Sequence, residues 1–150
     1  MATATPIQAS TAESEIRELI ASLHQAHHDK DAAAIVAAYA QDATLFTLAP
    51  PLANRGVDLK EQQAWLDTWE GPVEIESRDL RVTVSGDFAF AYGFVQMKGT
   101  SKTAGGETSF WMRLTLCFHH EAGAWRIVHQ HESVPFYMDD TQRAAFDLKP

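Results

Sequence analysis

Between residues 73 and 134 the chain reads as strand after strand, broken only at Gly86-Asp87, near Gly105-Gly106 and at Gly123. Side chains that alternate with a period of two point to opposite faces of an extended chain. Four long strands are therefore predicted, over about residues 73–84, 88–99, 107–120 and 125–134. Connections this short join antiparallel neighbours, so the four strands form a meander.

The residues before the meander carry helical signals. Ser10 and Glu13 form a capping box ahead of Ile16, Leu19, Ile20, Leu23 and His27, which recur at helical spacing. A first helix is predicted over about residues 11–29. Asp31 caps a second over 32–40, which carries Ile35, Val36 and Tyr39. Residues 43–48 are a short strand, ended by Pro50-Pro51. Asn54-Arg55-Gly56 reads as a turn. Asp58 and Glu61 cap a third helix running to about residue 69, with Leu59, Trp65 and Leu66, and Gly71-Pro72 stops it. Residues 1–10 are read as a flexible tail. Residues 137–150 form a second tail, with one short helix around 141–146. The single domain spans 11–136. Helices first and strands afterwards describe an α+β fold with the helices on one face of a mainly antiparallel sheet.

Bulk properties narrow the function. The 150 residues include 12 basic and 20 acidic side chains, a net charge of -8. That balance disfavours nucleic-acid partners and anionic membranes. No apolar run reaches the roughly 20 residues of a membrane span. The first residues lack a signal-peptide pattern, and the lone Cys117 excludes an internal disulfide. A cytoplasmic protein is expected.

The element order, together with particular residues, resembles a known family. The residues are Tyr39-Ala40-Gln41-Asp42-Ala43-Thr44, Arg55-Gly56, Asp87, Trp111-Met112-Arg113-Leu114-Thr115, and the run from Trp125 through His129-Gln130-His131-Glu132-Ser133 to Pro135. They resemble the nuclear-transport-factor-2-like superfamily, in its SnoaL-like and ketosteroid-isomerase-like branch, over about residues 13–136. The resemblance implies a cone: a curved sheet wrapped around the N-terminal helices, with an internal pocket. It does not imply one activity, because the fold serves isomerases, hydrolases, cyclases and binding modules. The residue matching the family's steroid-isomerase base is Thr47, and residues 107–120 contain no aspartate for an oxyanion site. Ketosteroid isomerisation is therefore disfavoured.

The last strand holds the candidate chemistry. Strict alternation places Trp125, Ile127, His129, His131 and Ser133 on one face. That face starts apolar and ends in two imidazoles, which exchange protons near neutral pH. His129 and His131 are the candidate catalytic residues. A bulged turn at Gly123 sets odd residues opposite odd residues, so Trp111, Arg113 and Thr115 join them, with Arg113 a candidate to hold a substrate carboxylate or enolate. A two-residue turn would flip the register and put Met112, Leu114 and Leu116 there instead; the bulged turn is preferred because it gathers the polar groups into one cavity. Tyr92 is a further donor at the position matching the family's pocket. Trp65 is a candidate aromatic wall, and His27 a core or pocket-wall residue. His129-x-His131 is also a metal-ligand spacing. No third ligand is placed beside it, so neither metal nor cofactor is expected. Phe110, Met112, Leu114, Leu116 and Phe118 then face away from this pocket, and a second subunit is expected to cover them. The function expected is a small-molecule pocket, in a cofactor-free enzyme using histidine acid–base chemistry on a small, largely apolar substrate. The alternative is a non-catalytic binding or dimerisation module of the same fold.

Overall fold

The computed structural model describes residues 5–150, with side chains from residue 11 onward. Helix α1 (Thr5–His28) begins ahead of the expected capping box, so Ser10 lies within it. Residues 1–4 of the expected tail lie outside the described residues. Asp31 Oδ1 accepts from the Ala34 amide at 3.0 Å and starts α2 (Ala32–Ala37). Strand β1 (Tyr39–Phe46) follows, and then the two-residue β2 (Asn54–Arg55). The latter was expected as a turn, but it pairs antiparallel with β1, Thr44 opposite Arg55. Asp58 Oδ1 accepts from the Glu61 amide at 2.9 Å and starts α3 (Leu59–Asp67), as its capping box predicts.

The meander consists of β3 (Trp69–Ser85), β4 (Phe88–Ser101), β5 (Gly106–Glu121) and β6 (Ala124–Ser133). Gly71-Pro72 does not stop α3, which is already capped at Thr68; it lies inside β3, where the register against β4 shifts between Glu70 and Glu74. The C-terminal stretch forms no helix. Phe136 and Ala144 pair as an isolated antiparallel bridge, with the Ala145 amide donating to Pro135 O at 2.7 Å.

The six strands lie in the order β2-β1-β6-β5-β4-β3 in a curved, open sheet. All neighbours are antiparallel except β1 and β6. That parallel pair is possible because a long crossover, through α3 and the meander, separates the two strands in sequence.

The core lies between the helices and the concave face. Ile16, Ile20 and Leu23 of α1, Ile35 of α2 and Leu66 of α3 meet Ala89, Ala91 and Val95 of β4, Met112, Leu114, Leu116 and Phe118 of β5, and Ile127 of β6. Leu116 is 1% exposed and Phe118 0%. These even-numbered β5 residues were expected to face outward and be covered by a second subunit. They face inward, and the chain's own helices cover them. Burial of each such side chain stabilises the fold by about 1.5–3 kcal/mol. Among the described residues no helix is long and apolar enough to cross a membrane.

Candidate functional site

The β5–β6 hairpin decides which side chains reach the interior. Ala122 and Gly123 both have positive φ, 52° and 82°, and Glu121 pairs with Ala124. This is a two-residue turn of the primed type that suits the right-handed twist of a hairpin. It sets odd residues opposite even ones: His120 with Trp125, and Phe118 with Ile127. The next pair is Cys117 with His129. Val128 is therefore an extra residue, a β-bulge, and alternation restarts beyond it in the opposite phase. From there odd faces odd: Thr115 with His131 and Arg113 with Ser133. The expected pairing is present, but the bulge sits inside β6 rather than at the turn. Trp125 and Ile127 point into the core, while His129, His131 and Ser133 point outward. Gln130 and Glu132 point inward, opposite buried Leu116 and Leu114.

An internal cavity of about 390 Å³ opens where Gln130 and Glu132 enter. Apolar side chains make most of its wall: Ile35, Leu45, Val57, Ile75, Met97 and Met112. Trp65 flanks it, edge-on to His27 with ring centroids 6.0 Å apart. Asp58 and Glu61, at the start of α3, also line it. Gly56 is on the wall with φ +72°, and a Cβ there would stand 2.6 Å from the Gln41 carbonyl oxygen. Only glycine fits that place without moving the backbone.

The polar groups of the cavity form a chain. The Tyr39 hydroxyl donates to Gln130 Oε1 at 2.5 Å, and Gln130 Nε2 donates to Glu132 Oε1 at 2.7 Å. Desolvation pushes the Glu132 carboxyl above its usual range, against opposing hydrogen bonds from the Leu48 backbone and Gln130. Burial, reinforced by the Glu132 charge, likewise raises the Tyr39 phenol. His27 Nδ1 donates to Leu23 O at 2.8 Å. Burial lowers the His27 pKa, the backbone bond only partly opposing it, so the ring is neutral at pH 7. A neutral imidazole that donates through Nδ1 presents Nε2 as an acceptor.

Of the residues named from sequence, Trp65 lines the cavity, and so do His27 and Thr47. The others lie on the outer face of the sheet. The His129 Nδ1–H donates to Thr44 O at 2.7 Å, and the ring meets Phe46 edge-on at 4.9 Å. His131 is exposed, 5.3 Å from Phe46, its centroid 6.4 Å from that of His129. Arg113 Nε donates to Ser133 Oγ at 3.0 Å. Trp111 lies under the Arg78 guanidinium, 4.4 Å from its ring centroid. Tyr92 is 47% exposed, and Thr115 shares its face. Among the described residues no three His, Cys, Asp or Glu side chains converge in a metal-binding group.

Sequence reasoning missed Tyr39, Gln130 and Glu132 as site residues. A signal for the last two was present. Five large apolar residues at even positions of β5 mark the covered face, and pairing then carries Gln130 and Glu132 to the same side.

The chain matches the SnoaL-like domain family over residues 16–137. A search of the curated proteins returned no match. Among solved structures it is similar to an NTF2-like protein of unknown function from Pseudomonas putida KT2440, with 33% identity and a TM-score of 0.83, over 95% of this chain and 99% of that one. Its fold is also similar to an NTF2-like superfamily protein from Salmonella enterica serovar Typhimurium LT2, with 17% identity and a TM-score of 0.73, over 89% and 98% of the two chains. The association domain of CaMKII from C. elegans shares the fold at 16% identity and a TM-score of 0.66, over 84% and 98%. With most of its length matched and its curved sheet shared, the chain belongs to the SnoaL-like family of the nuclear-transport-factor-2-like superfamily.

Proposed function

We propose that this protein is a cofactor-free enzyme that binds a small, largely apolar molecule in the internal cavity and moves a proton with Glu132. One observation carries the reading: a desolvated carboxyl on the wall of an apolar cavity, held by a hydrogen-bond chain back to Tyr39. A carboxyl that burial raises above its usual range is suited to giving or taking a proton. Gln130 orients it, and Tyr39 sets which way the Gln130 amide points. His27 Nε2 is a further acceptor among the cavity's lining residues. The arrangement supports isomerisation, hydrolysis or cyclisation through a proton shift. His129 and His131, the candidates named from sequence, lie outside this cavity, so the role passes to Glu132. The test is turnover of molecules that copurify with the protein, compared between wild type and Glu132→Gln. Binding without turnover in both would favour the non-catalytic module.

A homodimer remains part of the proposal, on a different surface. Phe88, Phe90, Tyr92 and Phe94 of β4 face outward and are 56, 42, 47 and 36% exposed. Trp111 and Phe46 extend this band on the same side. An apolar strip of this length on the outer sheet face favours burial against a second copy. A cytoplasmic location is proposed from the acidic composition and the single cysteine.

A further inference from the structure

We infer that the cavity selects a ligand bearing a protonated amine on an apolar body, and rejects carboxylates and phosphates. This rests on the proposed pocket and names its substrate class. Three observations carry it. First, Glu132, Asp58 and Glu61 line the cavity, and no lysine or arginine does. An anionic ligand would enter a desolvated space with no cation to pair, which is strongly unfavourable. Second, the partners of Glu132 are neutral, the Gln130 amide and the Leu48 backbone amide. Its charge is therefore left for a ligand cation to balance, through charge-assisted hydrogen bonds.

Third, several polar groups on the wall offer acceptors, beside the amide donors of Asn54 and Gln62. His27 uses Nδ1 as its donor on Leu23 O, and the Tyr39 and Thr47 hydroxyls spend their protons on Gln130 and on Ala49 O. An ammonium carries three donors and no acceptor, the complement of these acceptor groups and of the Glu132 carboxylate. Trp65 lines the same wall, and an indole attracts both a cation and an apolar body. Arg113, expected from sequence to hold a ligand carboxylate, is on the other side of the sheet and cannot offset this charge.

The experiment uses three probes with one ring system and different head groups: tryptamine, tryptophol and indole-3-acetate. Affinities are measured by titration calorimetry on the full chain near neutral pH. Side-chain NMR signals of Trp65 and Gln130 report whether each probe enters the cavity. The expected result is that tryptamine binds about tenfold or more tighter than tryptophol, and indole-3-acetate weakest of the three. Glu132→Gln, nearly isosteric, should bring tryptamine and tryptophol to within about threefold of each other, by the same free-energy arithmetic. If tryptophol or indole-3-acetate shifts the cavity signals and binds as tightly as tryptamine, the amine preference is overturned while the pocket stands. An undiminished tryptamine preference in Glu132→Gln would overturn the role of Glu132. If no probe shifts Trp65 or Gln130 at millimolar concentration, the inference and the pocket both fall.

Discussion

The Tyr39 hydroxyl reaches Gln130 Oε1 from 91 residues away in the chain, at 2.5 Å, and thereby fixes which end of the Gln130 amide faces Glu132. Tyr39→Phe leaves that buried oxygen without its donor. An unsatisfied buried acceptor costs about 1–3 kcal/mol, and denaturant unfolding should show a loss of that size. Unfolding midpoints equal to wild type would show that the bond contributes nothing to the fold.

Glu132→Gln should reduce turnover by about 10²–10⁴-fold, the usual contribution of a general acid or base. Its effect on stability has a defined sign. The carboxyl is raised above its ordinary value of 4.5 in the folded protein. Its contribution is therefore full below that value and is lost as pH rises through the folded value. Wild type should lose stability over that window, and Glu132→Gln should not. Thermal melts of both proteins across the acidic to neutral range check this.

His24 titrates in the opposite sense. Burial, reinforced by the charge of His27, lowers it from 6.5 to about 4. Stability from its neutral form is present above 6.5 and is lost as pH falls toward 4. His24→Gln should flatten the acid limb of the stability curve between those values, by on the order of 1–3 kcal/mol. An acid limb as steep as that of wild type would assign it to other groups.

On the outer face, Phe90→Glu should leave the secondary structure intact, because the side chain is already 42% exposed. If the β4 aromatics meet a second copy, sedimentation should shift from dimer to monomer at micromolar concentration. A wild-type protein that sediments as a monomer rules out the dimer on this surface.

The architecture was legible because it rests on local signals. Asp31 and Asp58 mark helix starts, glycines mark the turns, and alternation marks long strands. The Ser10 capping box misled because a helical backbone continued through it to Thr5. The site was less legible, for one physical reason. Strand parity is a running count, and a single unpaired residue reverses everything after it. Ile127-Val128 carries no glycine or proline to announce the bulge. Assuming unbroken alternation placed His129 and His131 in the cavity, and setting the bulge at the Gly123 turn faced the Met112–Phe118 side outward. Trp65 lines the cavity because its direction depends on helix α3, whose phase the bulge does not touch.

Val128 also has a consequence on an evolutionary scale. Were Val128 drawn into the regular ladder, the two sets of side chains on the end of β6 would exchange, retiring Gln130 and Glu132 to solvent and presenting imidazoles to the cavity. Loss of the Val128 codon, by contrast, would straighten the strand and leave both sets facing as they do now, with Phe118 still opposite Ile127 and Cys117 opposite His129. A scaffold with such a hinge in its parity holds two alternative reactive surfaces in one stretch of gene.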